Sequence, residues 1–432
     1  MTLDAAKEVG RSPAGGLVKH GTLLFAASMT ANATHYLFRI FMSHRLSDVD
    51  YAALDALLSL LMIISIPATA IQTVTAKYAS DLGATGRHTE IADLFLRSLR
   101  RIGVVCIIGF FAFFLSKGFI ARYLQIDRTT PVVLLGIVLF AGVLLPAAVG
   151  VLQGLQWFSK LGWIGIIGAG VRLGAGVALV LLGLGVNGAV GASVVSTLVV
   201  LAIAFFWLRS FFSLRSFLRR SGEGRADSSG VYHYLFWLVI PFLICQSLLS
   251  FVDGIVVKHY FDSEQAAVYF RAAIVGKAFL YLPTALALVL FPKAAERHAL
   301  QESSFRLLMQ ALGCSLAVAA AGFVVCFFFA DPLAVVVGGS SRAAEVASLI
   351  RCFGIAVTPV ALIQLLINHD LAVRRTSAFY PLAAGTIAFV YTLYAFHGSL
   401  RQVLIGMGVV GCVLCALCIV WTWMVERREA HA

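Results

Sequence analysis

The sequence predicts an all-α polytopic membrane protein, with about twelve transmembrane helices in two six-helix lobes related by a pseudo-twofold axis along the membrane normal. The first supporting observation is composition, since 60% of the residues are hydrophobic and only 12% are charged, whereas a soluble domain carries roughly 25% charged residues. The second is that apolar blocks of 20 or more residues recur from end to end. Each block can cross a hydrocarbon core about 30 Å thick as a helix. The third is a division into similar halves near the middle of the chain.

The apolar blocks define twelve predicted spans in chain order. They run continuously apolar, whereas the strands of a membrane barrel would alternate in polarity, so helices are the expected spanning element. The polar first twenty residues lack a short apolar core with a cleavage site, so we expect the first span to be retained. The predicted spans are 20–44, 51–79, 101–122, 131–157, 161–183, 188–208, 233–260, 265–291, 305–330, 344–370, 378–396 and 401–424.

The distribution of Lys and Arg predicts the orientation of these spans. With the N-terminus in the cytoplasm, and with residues near the span ends counted with the adjacent loops, the cytoplasmic loops and tails hold 21 of the 33 Lys and Arg residues and the external loops hold 7. Cytoplasmic loops of membrane proteins are enriched in these residues. We therefore predict cytoplasmic termini in a multi-pass membrane protein.

The net charge of +12 follows from this topology, and because the basic residues are scattered over short loops it does not indicate a nucleic-acid partner. All eight cysteines fall within apolar spans. The spacing of Cys412, Cys415 and Cys418 resembles a metal-cluster motif, but neither a fourth ligand nor a histidine flanks it, so we interpret these residues as small apolar side chains. The sequence predicts no metal site and no cofactor.

A polar segment divides the chain into two sets of six spans. Residues 210–230 are first basic and then rich in Gly and Ser, as in a linker. We therefore predict an N-terminal lobe over 1–209, a cytoplasmic linker over 210–232 and a C-terminal lobe over 233–432. A shift of 216 places Pro67 on Pro283 and Lys77 on Lys293, which indicates duplication. An even number of spans per half makes the halves parallel, an arrangement suited to a central cavity opened alternately to each side.

Two equivalent spans carry polar stripes at helical spacing. Those on the first span are separated by four, three and four residues, and those on the seventh by four and three. Each set therefore projects from one face of its helix, and this face is expected to meet protein or water rather than lipid. The stripes comprise Ser28, Asn32, His35 and Arg39 on the first span, and Gln246, Ser250 and Asp253 on the seventh.

Charged residues at membrane depth form an excess of cations. Five cations face only two anions, Asp55 and Asp253, and ionisable groups at such depth usually pair. Three cations are thus expected to lack a carboxylate partner, and a cavity carrying them would favour an anionic ligand. The five cations are Arg39, Arg172, Arg271, Lys277 and Arg351.

Other interpretations of these charges stay open. Asp55, Asp253, Arg39 and Arg271 would also fit ion pairs that close the external side. Arg351 and Lys277 could extend to the membrane surface. His35 has a side chain that titrates near neutral pH, so it is a candidate proton carrier and equally a structural histidine.

The stretch from Phe251 to His298 resembles the seventh and eighth spans of the bacterial oligosaccharide flippase (polysaccharide biosynthesis) family, which belongs to the superfamily of multidrug/oligosaccharidyl-lipid/polysaccharide exporters. The matching residues are an aspartate, a tyrosine, a Gly-Lys pair and a Phe-Pro pair. The stretch HRLSDVDYAALDALLSLL is similar to that family's junction between the first two spans, although the Gly-Pro turn and the Gly after Tyr51 are missing. The matching positions are Asp253, Tyr269, Gly276, Lys277, Phe291 and Pro292.

The resemblance implies transport of an undecaprenyl-diphosphate-linked oligosaccharide from the cytoplasmic to the periplasmic leaflet, as in O-antigen or other polysaccharide biosynthesis. Its implied partners are this lipid-linked oligosaccharide, membrane lipids and polysaccharide polymerase machinery. In that hypothesis Arg39, Arg172, Arg271 and Lys277 bind the diphosphate, and Ser28, Asn32 and Gln246 bind sugar hydroxyls. Asp55, Asp253 and His35 serve ion coupling, to H+ or Na+, or gating.

Two other functions are compatible with a polytopic membrane protein. An ion-coupled multidrug antiporter of the same fold would handle mostly cationic compounds and would favour a net negative cavity. A membrane-embedded enzyme acting on lipid-linked sugars would need an acid pair or a sizeable polar loop, and the sequence shows neither. We therefore expect a transporter rather than an enzyme.

Overall fold

The structure, a computed structural model, describes residues 13–84, 107–209, 239–281 and 305–431, except residues 341 and 374. Within these ranges the elements are helical. The α-helices are α1 (Pro13–Arg45), α2 (Asp48–Ile64), α3 (Ile66–Ala84), α4 (Lys117–Tyr123), α5 (Thr130–Gly154), α6 (Phe158–Leu181), α7 (Gly185–Leu208), α8 (Ile240–Tyr260), α9 (Ser263–Gly276), α10 (Phe305–Phe328), α11 (Ala330–Gly338), α12 (Ala343–Ala372), α13 (Phe379–Ala395) and α14 (Leu400–His431). Residues 107–115 are also helical.

Eight described segments are long and apolar enough to cross a membrane, and they coincide with eight of the twelve predicted spans. The matching spans are the fourth to seventh and the ninth to twelfth. The segments are Thr130–Gly154, Phe158–Leu181, Gly185–Leu208, Ile240–Tyr260, Phe305–Phe328, Ala343–Ala372, Thr376–Ala395 and Leu400–Arg427.

The second predicted span differs from the structure because it is interrupted. The sequence predicts one helix over 51–79, whereas α2 ends at Ile64 and α3 begins at Ile66. Ser65 caps α2, its backbone N–H donating to Leu61 O. Pro67 follows two residues later, and a proline lacks the N–H needed to continue a helical ladder but fits the first turn of a new helix.

The predicted eighth span also changes geometry along its length. α9 ends at Gly276 and is followed by a 3-10 turn over Lys277–Tyr281. Gly276 lies against Phe353 of α12 so closely that a Cβ would overlap the ring. Pro283 and Lys293, which carry the repeat, and Phe291 and Pro292, which carry part of the family resemblance, lie outside the described residues.

The described residues cluster into two compact units. The first contains 13–38, 68–84, 107–116 and 133–209, and the second contains 39–67, 117–132, 239–281 and 305–431. The proposed linker, 210–232, lies outside the described residues, so the division into lobes at that point stays a prediction.

The first unit has an apolar core around α5, α6 and α7. Small and branched side chains dominate it, among them Ala147, Val151, Ile164 and Val200. The Gly-rich α6 approaches α7 closely, and Ser196 donates a hydrogen bond to Gly168 O at 2.7 Å. Close approach through small residues is the usual packing of membrane helices.

The second unit brings together α2, α8 and α9. Gly254 of α8 lies against α2, where a Cβ would stand 2.6 Å from Ser59 Oγ. Ser247 of α8 also donates to Met62 O of α2 at 3.2 Å. This close approach places Asp253, the neighbour of Gly254, in a fully buried position.

Candidate functional site

The centre of the candidate site is the carboxylate of Asp253, on α8. Tyr269 of α9 donates its hydroxyl to Oδ2 at 2.7 Å. Lys277 donates Nζ to Oδ1 at 2.8 Å and to the carbonyl oxygen of Ser250 at 3.0 Å. Asp253 and Tyr269 are fully buried and Lys277 is 7% exposed. Both carboxylate oxygens are thus engaged by strong donors away from solvent, as a buried charge requires.

The turn after α9 positions Lys277. Because α9 gives way to a 3-10 turn at this residue, the side chain reaches back to α8, 24 residues earlier. Tyr269 is held by aromatic contact with Phe353, whose ring centroid lies 5.0 Å away. The Gly-Lys pair named by the family resemblance therefore has a physical role here: Gly276 admits Phe353, and Lys277 meets the aspartate.

An equivalent ion pair joins the corresponding helices of the first half. Arg39, near the end of α1, lies 2.9 Å from Oδ1 of Asp55 on α2. Asp55 and Tyr51, one turn earlier on α2, are both buried. One ion pair therefore joins α1 to α2 and the other joins α8 to the turn after α9, and the carboxylate lies on the later segment in the first pair but on the earlier segment in the second.

Arg271 has a carboxylate partner that the sequence prediction omitted. Its guanidinium lies 2.8 Å from Oδ1 of Asp48, at the start of α2, and donates to Ser43 O at 3.1 Å. The guanidinium carbon also lies 5.5 Å from the ring centroid of Tyr51. The prediction that this residue belongs to an unpaired excess is therefore wrong.

Arg351 likewise pairs with a carboxylate, that of Asp331, which lies between the predicted spans 305–330 and 344–370. It lies 2.8 Å from Oδ2 of Asp331, and both side chains are exposed. The assignment of Arg351 to a cavity or to the membrane surface stays a prediction. The predicted cation excess fails because Asp48 and Asp331 lie at helix starts rather than within apolar runs, so they were not counted at membrane depth.

Arg172 has a different environment, in the first unit. Its guanidinium carbon lies 4.5 Å from the ring centroid of Phe38. Phe38 is buried on α1, while Arg172 is half-buried in the middle of α6. A cation over an aromatic face is stabilised by the ring quadrupole, and a guanidinium also carries N–H donors in its plane.

The polar stripes are only partly buried. Ser28 is exposed, whereas Asn32, His35 and Gln246 are half-buried. Ser250 donates its hydroxyl to Gln246 O at 2.8 Å within its own helix. Their assignment to sugar binding, and that of His35 and Asp55 to ion coupling or gating, stays a prediction.

Sequence reasoning missed a cluster of Tyr and His side chains at the ends of α4, α8 and α13. Tyr123 stacks on His259 with ring centroids 4.0 Å apart, and its hydroxyl lies 2.6 Å from that of Tyr394. Tyr260 stacks on His397 at 3.6 Å. The sequence signal that could have predicted this cluster is the occurrence of Tyr and His at the ends of predicted spans that lie on the same side of the membrane.

Among the described residues, no group of three or more His, Cys, Asp or Glu side chains could hold a metal ion. The described cysteines, which include Cys412, Cys415 and Cys418, are free thiols.

Comparison with known proteins rests on structure. No protein-family model and no curated protein matches the sequence. An inward-facing multidrug resistance MATE family transporter of the MOP superfamily superposes with a TM-score of 0.79 at 14% identity, covering 95% of this chain and 99% of that chain. An outward-facing conformation of a multidrug resistance MATE family transporter gives a TM-score of 0.65 at 15% identity, covering 96% and 97%.

A third similar structure is a MOP superfamily transporter from Pyrococcus furiosus, described as having a binding pocket of reverse polarity that suggests a different function. It gives a TM-score of 0.68 at 15% identity and covers 95% of this chain and 96% of that chain. The predicted fold class is confirmed: the chain has the all-α, two-lobed, twelve-span fold of these transporters.

Proposed function

We propose that the protein is a membrane transporter that moves an anionic, diphosphate-linked oligosaccharide lipid from the cytoplasmic to the periplasmic leaflet. The fold is shared with transporters over 95% of the chain, which supports transport in general. The residue pattern around Asp253, Tyr269, Gly276 and Lys277 resembles oligosaccharide flippases, which supports this cargo.

The observation that carries the cargo class is the position of Arg172. It is a permanent cation in the middle of a 24-residue apolar helix, packed on Phe38 of the helix that also carries Asn32 and His35. A guanidinium presents a planar set of donors that matches phosphate oxygens. We therefore assign the first contact with the diphosphate to Arg172 and contacts with sugar hydroxyls to the polar stripe on α1.

The membrane potential would favour this direction of transport. A diphosphate diester carries about two negative charges. When the inside of the membrane is negative, each negative charge that moves outward releases roughly 2.3 kcal/mol per 100 mV of membrane potential. A second driving force, through ion coupling at Asp253, is part of the same proposal. Because Tyr269 and Lys277 hold both carboxylate oxygens, a coupling ion would have to replace Lys277 as the partner of Asp253.

A multidrug antiporter is the second candidate. The observation that favours it is the pairing of Arg39, Arg271 and Lys277 with carboxylates at 2.8–2.9 Å, which removes most of the predicted positive excess. Two of the similar structures are multidrug transporters. Cells expressing the protein should then resist cationic dyes, whereas the lipid-linked cargo predicts no such resistance.

The proposal is tested by identifying lipids that co-purify with the protein. The wild type and Arg172→Gln are purified in a mild detergent, and bound lipids are identified by mass spectrometry. We expect a diphosphate-linked saccharide in the wild type and its loss in Arg172→Gln. Arg351→Gln is the matched control, because it removes a guanidinium whose ion pair is exposed.

Retention of the same lipid by Arg172→Gln and the wild type would reject the role of Arg172. Absence of any diphosphate-linked lipid from the wild type, together with dye resistance, would replace the proposal with the antiporter.

A further inference from the structure

A separate cavity lies within the second unit, at the first turns of three helices. Its volume is about 330 Å³, and its walls come from α9, α12 and α14 together with the turns that precede α9 and α14. This volume lies in the range of small-molecule sites, roughly 300–1,000 Å³. The positive-inside analysis places these helix starts on the periplasmic side.

The cavity combines an apolar floor with a polar rim. Phe261, Val268 and Leu349 form the floor and are at most 7% exposed. The rim carries an amide, a carboxylate and a guanidinium from Gln265, Glu345 and Arg401, which are exposed. In the part of the chain that the structure describes, these three side chains form no hydrogen bond or ion pair with one another or with a neighbour.

The walls of this cavity are fixed by contacts outside it. The turn before α9 is held by Lys258, which is fully buried and donates to Ser263 Oγ at 2.8 Å. Asp262 caps α9 by accepting from the backbone N–H of Gln265 at 2.7 Å. The stacking of Tyr260 on His397 joins this turn to the one before α14. The rim groups therefore project from a preformed frame, which lowers the entropic cost of binding.

The chemistry of the cavity matches a sugar ring. A pyranose has one face of C–H groups, which can pack on Phe261 and its apolar neighbours, and an edge of hydroxyls that both donate and accept. An amide, a carboxylate and a guanidinium together supply donors and acceptors for such an edge. We infer that this cavity binds a single saccharide unit, as a glycan-binding site distinct from the cluster around Asp253.

The choice of a saccharide rests on the proposed function, since a zwitterionic amino acid would also satisfy Glu345 and Arg401. A sugar and an amino acid differ in the group that would pack on the apolar floor of the cavity and in the number of hydroxyls that would meet its rim. They are therefore compared directly in one experiment, which requires no transport.

The experiment is saturation-transfer NMR on the full-length protein in a detergent without a sugar head group. The probes are glucose, galactose and N-acetylglucosamine, with leucine as the zwitterionic comparison. We expect transfer to the ring protons of at least one sugar. Glu345→Gln and Arg401→Gln should each weaken its affinity about tenfold, as for the loss of a hydrogen bond from a charged group. Ser348→Trp, which fills the cavity, should abolish the transfer.

Glu264→Gln and Arg342→Gln are matched controls, because these residues pair with each other at the same helix starts but do not line the cavity. They should leave sugar binding unchanged. The inference is overturned if no sugar shows transfer, if leucine alone does, or if Ser348→Trp and Glu345→Gln bind sugar as the wild type does. If the protein binds sugar but does not export the lipid-linked saccharide, the saccharide site stands and the proposed cargo is rejected. If it exports this lipid but does not bind free sugar, the proposed cargo stands and the saccharide site is rejected.

Discussion

At the scale of single residues, the stability of the second unit depends on the buried carboxylate of Asp253 and its two donors. Lys277 and Tyr269 together occupy both of its oxygens, so removal of either donor leaves charge in an apolar environment. Breaking a buried ion pair by removing one partner typically costs about 3–5 kcal/mol, whereas replacing both partners with neutral groups is often close to neutral.

We therefore predict that Lys277→Met lowers the thermal unfolding temperature in detergent more than the double variant Lys277→Met/Asp253→Asn does. The single variant strands a carboxylate, while the double variant does not. Arg351→Met provides the control for loss of a cation, since its pair with Asp331 is exposed and exposed pairs contribute little, about 0–1 kcal/mol. Equal losses in the single and double variants would show that the pair is not coupled.

Arg172 is predicted to act on cargo rather than on folding. Arg172→Lys keeps the charge and the contact with an aromatic face but loses the planar donor set. We expect intermediate export of lipid-linked saccharide for Arg172→Lys and little export for Arg172→Gln, at equal protein levels in the membrane. Export by Arg172→Gln at the level of the wild type would contradict the assignment.

At the scale of elements, the approach of α8 to α2 is set by Gly254. A methyl group there would stand 2.6 Å from Ser59 Oγ and 3.1 Å from the Phe270 ring. We predict that Gly254→Ala destabilises the protein by about 1–3 kcal/mol, as overpacking does, and that adding Ser59→Ala restores part of the loss. Gly313→Ala is the control, because nothing lies within 4 Å of the added atom. Thermal unfolding of the three variants tests this, and an unchanged Gly254→Ala would contradict the close approach.

Most elements of the fold were predictable from hydropathy, because a span is determined by the length and polarity of one segment. The sequence prediction 131–157 corresponds to α5 (Thr130–Gly154), and 188–208 corresponds to α7 (Gly185–Leu208). Breaks within spans were less predictable. The interruption at Ser65 and the 3-10 turn at Lys277 depend on tertiary contacts, such as that between Gly276 and Phe353, which hydropathy does not contain.

The sequence named most of the charged residues that form the observed ion pairs, but it did not predict which residues pair with each other. Helical spacing singled out Arg39 and Asp253, and charge at predicted membrane depth singled out Asp55 and Lys277. The partners of Arg271 and Arg351 were missed because Asp48 and Asp331 are polar residues at helix starts, where solvent exposure is the usual expectation. The structure instead brings Asp48 within 2.8 Å of Arg271, which is 7% exposed.

At the scale of the whole molecule, the proposed transport cycle includes ion coupling at Asp253. We predict that a proton gradient, and not a sodium gradient, drives transport, because a sodium ion needs several oxygen ligands, whereas both oxygens of Asp253 are already engaged by Tyr269 and Lys277. The measurement is transport in proteoliposomes under an imposed pH gradient or sodium gradient. Asp253→Asn should remove the response to the pH gradient but keep cargo binding, and a response to sodium alone would contradict this coupling.

The central claim, transport of a diphosphate-linked saccharide, is tested most directly by reconstitution. The purified protein is placed in vesicles that contain an undecaprenyl-diphosphate-linked saccharide labelled on its sugar, and accessibility of the label to an impermeant enzyme is followed in time. We expect the wild type to equilibrate the label between leaflets and Arg172→Gln to do so much more slowly, at equal amounts of protein. Equal rates in protein-free vesicles and in vesicles with the wild type would contradict the claim.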